Sequence, residues 1–132
     1  MSDARAVWPA SIFEIATLRA LDARARADLS AAGALSRLRA GQYVYHTYDV
    51  ADAIFVVVEG VVDVHDAGGT TLKRARKLEA FGEDALTRIS SRRTHAAVCV
   101  EDTTVARLPS AVLARAFGRL GVPLATSPRF AA

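Results

Sequence analysis

The order of apolar and polar positions divides the chain into a helical first third, a strand-rich middle and a final helix. From Ser11 to Ala20, the residues Ile12, Ile15, Leu18 and Ala16 recur at helical spacing, with Phe13 beside them. Asp22 suits an N-cap and Gly33 a C-cap, which predicts a second helix over Asp22–Ala32. Its one large apolar residue is Leu29, set among alanines, so this helix must pack closely on something larger. From Leu35 the period changes. YVYHTY (43–48) and AIFVVVEG (53–60) are β-branched and aromatic, and VVDVHD (61–66) alternates. Gly68-Gly69 marks a tight turn before the run from Thr71 to Glu79. THAAVCVE (94–101) and TTVARL (103–108) read as a further hairpin. Pro109 suits the first position of a last helix, 109–120, with Leu113, Phe117 and Leu120 on one face. The tail from 121 to 132 contains two prolines and reads as irregular. Seven or eight short strands flanked by helices predict a mainly β domain, a sandwich or jelly roll.

Size and composition narrow the function classes. The 132 residues fall just under the rough figure of about 150 per domain, which predicts one domain over 1–132. Helices would occupy 11–32, a β-barrel 35–108 and a helix 109–120. With 52% hydrophobic residues the chain can fill a core without covalent staples. Seventeen basic against fourteen acidic residues leave +3, far from the excess of a nucleic-acid binder. Cys99 is the only cysteine, which excludes an intramolecular disulfide and a Cys-only zinc or iron–sulfur site. It reads as a small core residue. No apolar run reaches the length of a transmembrane helix, and MSDARAVWPA lacks the apolar stretch of a signal peptide. The expectation is a reduced, cytoplasmic protein with no membrane and no direct nucleic-acid partner.

The chemistry concentrates in Phe81-Gly82-Glu83-Asp84-Ala85-Leu86, followed after a polar loop by Arg92-Arg93-Thr94. A glycine turn entering a short helical turn exposes backbone N–H groups to an anion, and a guanidinium can add a bidentate clamp on phosphate. A carboxylate beside such a site repels phosphate unless it accepts hydrogen bonds from another part of the ligand, such as a hydroxyl. The combination therefore suits a sugar phosphate better than a bare anion.

Here the sequence resembles the cyclic-nucleotide-binding domain family, the sensory β-barrel of catabolite-activator-type regulators, cyclic-nucleotide-dependent kinases and gated channels. The resemblance runs from about Ile12 to Leu120. It is carried by Leu38-Arg39-Ala40-Gly41-Gln42, Asp49, Ala51-Asp52, Phe55 to Gly60, Val62, the cassette from Phe81 to Thr94, Glu101-Asp102-Thr103 and Leu108. It implies a double-stranded β-helix jelly roll and a non-catalytic sensor whose ligand is cAMP or cGMP, with no other cofactor. By this resemblance Glu83 would accept from the ribose 2′-hydroxyl and Gly82 would offer backbone near the ribose. Arg93 would hold the cyclic phosphate, helped by the N–H of Ala85 and by Thr94, with Phe81 and Leu86 completing the cassette. Counting back from Asp102-Thr103 favours Arg93, although Arg92 lies at the usual distance from Glu83; Arg92 and His95 are secondary candidates. A one-residue slip would swap every inward and outward side chain of the strand.

The sequence also departs from the family pattern. Tyr48 replaces a common glycine, so its turn must differ or carry strain. The family's further long helix is not visible, nor is a helix-turn-helix. The output is therefore expected to pass through an unknown protein effector, through self-association, or through parts of a longer protein.

Several plainer readings stand beside these. Glu83 and Arg93 could form a structural ion pair in a degenerate, ligand-free interaction or scaffold domain. His46, His65 and His95 lie on or beside strands, but no His-x-His pair supports a jelly-roll metal site. On a strand, Lys73, Ala75 and Lys77 share one face and Arg74 and Arg76 the other, which reads as a solvated hairpin. Phe117, Val122, Leu124 and Phe130 would fold back over the barrel or form a partner surface.

Overall fold

A computed structural model describes residues 2–3, 18–19, 21–83, 85 and 92–119. The expected helix over 11–20, the tail from 121, and Leu86 lie outside the described residues, apart from Leu18 and Arg19. Along the chain run β1 (Ser2–Asp3), α1 (Ala23–Ala32), β2 (Ala34–Leu38), β3 (Tyr43–Tyr45), β4 (Ala53–Glu59) and β5 (Val62–His65). They are followed by β6 (Thr71–Ala75), β7 (Ala80–Phe81), β8 (Ala96–Cys99), β9 (Thr103–Pro109) and α2 (Ser110–Arg119). A five-stranded sheet has the order β1-β2-β9-β4-β7, and a four-stranded sheet the order β3-β8-β5-β6. Every strand pairing is antiparallel. The protein is mainly β, a jelly roll with flanking helices.

The continuous apolar run of β4 has a direct cause. Ile54 and Val56 belong to one core cluster with Leu29, Leu108, Leu113 and Phe117, packed beneath the helices. Ala53, Phe55 and Val57 belong to the other, with Tyr45, Val62, Val64, Phe81, Cys99 and Val105 between the sheets. A strand covered on both faces loses the apolar–polar alternation that a half-exposed strand keeps. The half-covered β5 keeps it: Val62 and Val64 are buried, Asp63 and His65 only partly. Each large core side chain contributes about 1.5–3 kcal/mol of burial. The Cys99 thiol sits in the inter-sheet core, and burial pushes its pKa up.

The capping residues of α1 act as the sequence predicts at one end and differently at the other. Asp22 Oδ1 accepts from the Ala25 N–H at 2.8 Å. Gly33 donates its N–H to Leu29 at 2.8 Å, yet it leaves the helix extended (φ −87°), so the chain runs straight into β2. Leu29 is wholly buried in the core cluster beneath the helices. The last helix starts one residue later than predicted, because Pro109 still pairs with Ala53 at the end of β9.

One expected hairpin does not form. β8 pairs with β3 and β5, whereas β9 pairs with β2 and β4 in the other sheet. The chain changes sheets at the corner 100–102. The Val100 N–H donates to the Val61 carbonyl at 2.9 Å. The Thr103 hydroxyl lies 3.2 Å from both the N–H and the carbonyl of Val61 and donates to the Glu101 carbonyl at 2.8 Å. These bonds tie the corner to the start of β5 and leave β9 free to join the opposite layer.

Candidate ligand-binding site

The cassette begins where β7 ends. Phe81 is fully buried and stacks on Phe55 with ring centroids 5.4 Å apart; Tyr45 completes the aromatic group at 6.2 Å from Phe81. Gly82 follows with φ +78°, a conformation that glycine adopts without the penalty a side chain brings. The Ala85 N–H, expected to face a phosphate, closes a turn onto the Gly82 carbonyl at 3.2 Å.

Arg93 comes back to this turn from the far side of the loop. It is 2% exposed, while Arg92 is exposed and bridges to Val50 at the surface. Its backbone is held on both sides: the Tyr48 N–H donates to the Arg93 carbonyl at 2.8 Å, and the Arg93 N–H donates to the Asp49 carbonyl at 2.7 Å. Tyr48 makes this clasp at φ +76° with its ring largely in solvent, so the turn without the family's glycine carries strain. The guanidinium lies 4.0 Å over the Tyr45 ring. Nη1 donates to the Gly82 carbonyl at 3.0 Å and Nη2 to the Ala53 carbonyl at 2.6 Å. A flat cation over an aromatic face, with both terminal nitrogens on carbonyls, is a stable arrangement for buried charge.

The Ala53 contact leads toward α2. One residue before it, the Asp52 carbonyl accepts from both the N–H and the hydroxyl of Ser110, each at 2.9 Å. Arg107 pairs with the Asp52 carboxylate at 3.2 Å. Two successive carbonyls are thus held from different elements, that of Ala53 by the cassette arginine and that of Asp52 by the first residue of α2. A cleft of about 380 Å³ opens beside Arg93, walled in part by Tyr43, Tyr45, Phe55, Asp52 and Arg107.

Glu83 is partly exposed, and its carboxylate meets Lys73 of β6, with Nζ 3.2 Å from Oε2 and 3.3 Å from Oε1. Lys73 Nζ also donates to the Ala80 carbonyl. The hairpin is solvated as expected, with Lys73, Arg74, Arg76 and Lys77 all exposed, and the contact with Glu83 is an addition to that reading. Ala75 is buried, so the face it shares with Lys73 turns toward the cassette. The opposite face is solvated as expected, with Arg74 donating to the Asp63 carboxylate at 2.7 and 2.9 Å. The signal available in the sequence was the small apolar Ala75 between two lysines. Thr94 is exposed, its hydroxyl 3.0 Å from Nδ1 of the half-buried His95.

The sequence residues Phe81, Gly82, Glu83, Ala85 and Arg93 therefore gather at one end of the barrel, with Thr94 and His95 adjoining them. Sequence reasoning passed over Lys73, Tyr45 and the Ala53 carbonyl. Among the described residues, Glu83 meets the Lys73 ammonium and Arg93 meets main-chain carbonyls. Among the described residues no three His, Cys, Asp or Glu side chains are grouped to hold a metal ion. Nor, among those residues, is any helix long and apolar enough to cross a membrane.

Comparison with known proteins identifies the family and the fold. Residues 35–119 match the family described as the cyclic nucleotide-binding domain, and the chain belongs to that family. Among solved structures it is similar to the sensor domain of the transcriptional regulator DNR from Pseudomonas aeruginosa (TM-score 0.78, 18% identity, 82% of this chain and 78% of that one). It is also similar to the regulatory domain of Toxoplasma gondii PKA crystallised with cAMP (TM-score 0.71, 22% identity, 83% of this chain and 44% of that one). A third similar structure is the regulatory subunit of a cAMP-independent protein kinase A from Trypanosoma cruzi bound to guanosine (TM-score 0.70, 20% identity, 90% of this chain). This chain spans 44% of each kinase chain. No curated protein matches the sequence.

Proposed function

We propose that this domain is a cytoplasmic, non-catalytic sensor module that captures cAMP or cGMP at the cassette and relays the event to a protein effector or to a second copy. The observation that carries this reading is the placement of the Arg93 guanidinium on the Gly82 carbonyl at 3.0 Å, with the Glu83 carboxylate next in the chain. A cyclic phosphate arriving there would compete with the carbonyls for the guanidinium, since a charged acceptor makes the stronger hydrogen bond. Glu83 would take the ribose 2′-hydroxyl, while Thr94 and the N–H of Ala85 would complete the phosphate grip. Phe81 and Leu86 would fix the turn, with Arg92 and His95 at its rim.

The route outward would run through the successive carbonyls of Asp52 and Ala53. If phosphate draws Nη2 from the Ala53 carbonyl, the neighbouring Asp52 carbonyl, which holds Ser110, shifts with it. The ligand then favours one of two positions of α2, and the coupling equals its difference in affinity for them. Similar structures carry cAMP in one case and guanosine in another, which supports a nucleoside-type ligand and leaves the base open.

A second reading, a ligand-free interaction or scaffold domain, draws on the same arginine. At 2% exposure the guanidinium is already supplied with main-chain acceptors, as a structural brace would be. Isothermal titration with cAMP and with cGMP separates the two. Saturable one-to-one heat that disappears in Glu83→Ala supports the sensor. No heat at high micromolar nucleotide, in protein shown to be folded, supports the scaffold.

A further inference from the structure

The β6 lysine at the cassette has a role beyond the hairpin. A site for a phosphodiester anion that contains a carboxylate works against itself, because Glu83 repels the charge that Arg93 attracts. Lys73 stands where that conflict is relieved. Its ammonium reaches both oxygens of Glu83 and is anchored by the Ala80 carbonyl, one residue before Phe81. The Glu83 side chain in this pair is 13% exposed and that of Lys73 41%, so the contact is only partly screened by solvent.

We propose that Lys73 is a positioning residue of the nucleotide site. It offsets the Glu83 charge and holds the carboxylate in place, so that an anionic phosphate and a ribose hydroxyl can be accepted side by side. This rests on the reading of the cassette as a nucleotide site. A lysine serves here where a neutral residue would not: a methionine of similar length fills the space but removes the ammonium from the carboxylate.

The test is a double-mutant cycle read by titration with cAMP and cGMP, with unfolding curves to establish that each variant folds. Lys73→Met should weaken binding about fivefold to tenfold, and Lys73→Arg should restore most of it. In a Glu83→Gln background, where no charge remains to offset, Lys73→Met should change the affinity that is left by less than about twofold. A merely structural lysine would cost the same in both backgrounds, and that result overturns the proposal. So does wild-type affinity in Lys73→Met, which leaves the nucleotide reading intact. Absence of binding by folded wild-type protein overturns both.

Discussion

Gly82 and Arg93 are fitted to each other: Nη1 of Arg93 donates to the Gly82 carbonyl at 3.0 Å, and a Cβ on Gly82 would lie 2.9 Å from that same nitrogen. The glycine therefore serves two purposes, the positive φ of the turn and the clearance for the guanidinium. Gly82→Ala should lower stability by about 1–3 kcal/mol, measured as a fall in the urea midpoint. An unchanged midpoint would mean that the guanidinium can leave its place at no cost.

The two adjacent arginines should behave differently. Arg93→Ala strips a buried cation from the Gly82 and Ala53 carbonyls and from the Tyr45 face, for an expected loss of about 2–4 kcal/mol. Arg92 is exposed, and Arg92→Ala should stay within about 0.5 kcal/mol. Nucleotide affinity should follow the same order. Where Arg93→Ala does not fold, Arg93→Lys keeps the charge but loses the planar fork, and should still bind more weakly than Arg92→Ala. The opposite order would place the ligand contact at Arg92.

Gly60 and Gly69 offer a controlled pair. Both have positive φ, +106° and +87°, but a Cβ on Gly60 would meet Thr103 Oγ1 at 2.4 Å and the Asp102 carbonyl at 2.7 Å, whereas one on Gly69 meets nothing within 4 Å. Gly69→Ala should cost only backbone strain, about 1–2 kcal/mol. Gly60→Ala should cost clearly more, because main chain must move at the corner where β9 departs. Equal urea midpoints for the two variants would contradict this account of the corner.

The Asp63–Arg74 pair gives a pH signature. The hydrogen-bonded Arg74 guanidinium holds the Asp63 carboxyl below the usual carboxylate range. Its folded pKa therefore lies under the unfolded one, so the stabilisation is complete above about pH 4 and is lost as pH falls through the folded value. Asp63→Asn should be less stable than wild type at neutral pH, and the difference should shrink on acidification. A gap that widens toward low pH would reverse the sign of the effect.

Much of this architecture was legible because burial leaves a periodic trace. β4 showed as an unbroken apolar run, β5 as an alternation, and Asp22 as a cap with a hydrogen bond to make. The cassette residues stood out by type and spacing. What the sequence concealed depends on which sheet a strand joins. The pairing of β8 and β9 with different sheets follows from the bonds at Thr103 and Val61, residues 42 positions apart, and no local pattern reports a contact of that kind. The contact of Lys73 with Glu83 was not legible for a related reason. A basic run on an outer strand suggests solvent, and only the closure of the barrel turns one of its faces toward Glu83. The Ala53 carbonyl, a backbone atom, had no residue type to announce it.

The most direct measurement is a crystal structure of this domain grown with saturating cAMP. The predicted result is density for the nucleotide at the cassette, with its phosphate in hydrogen-bond reach of the Arg93 guanidinium, Nη2 withdrawn from the Ala53 carbonyl and the ribose hydroxyl on Glu83. An empty cassette with Arg93 still on the Gly82 and Ala53 carbonyls would contradict the sensor reading and leave the fold as a scaffold.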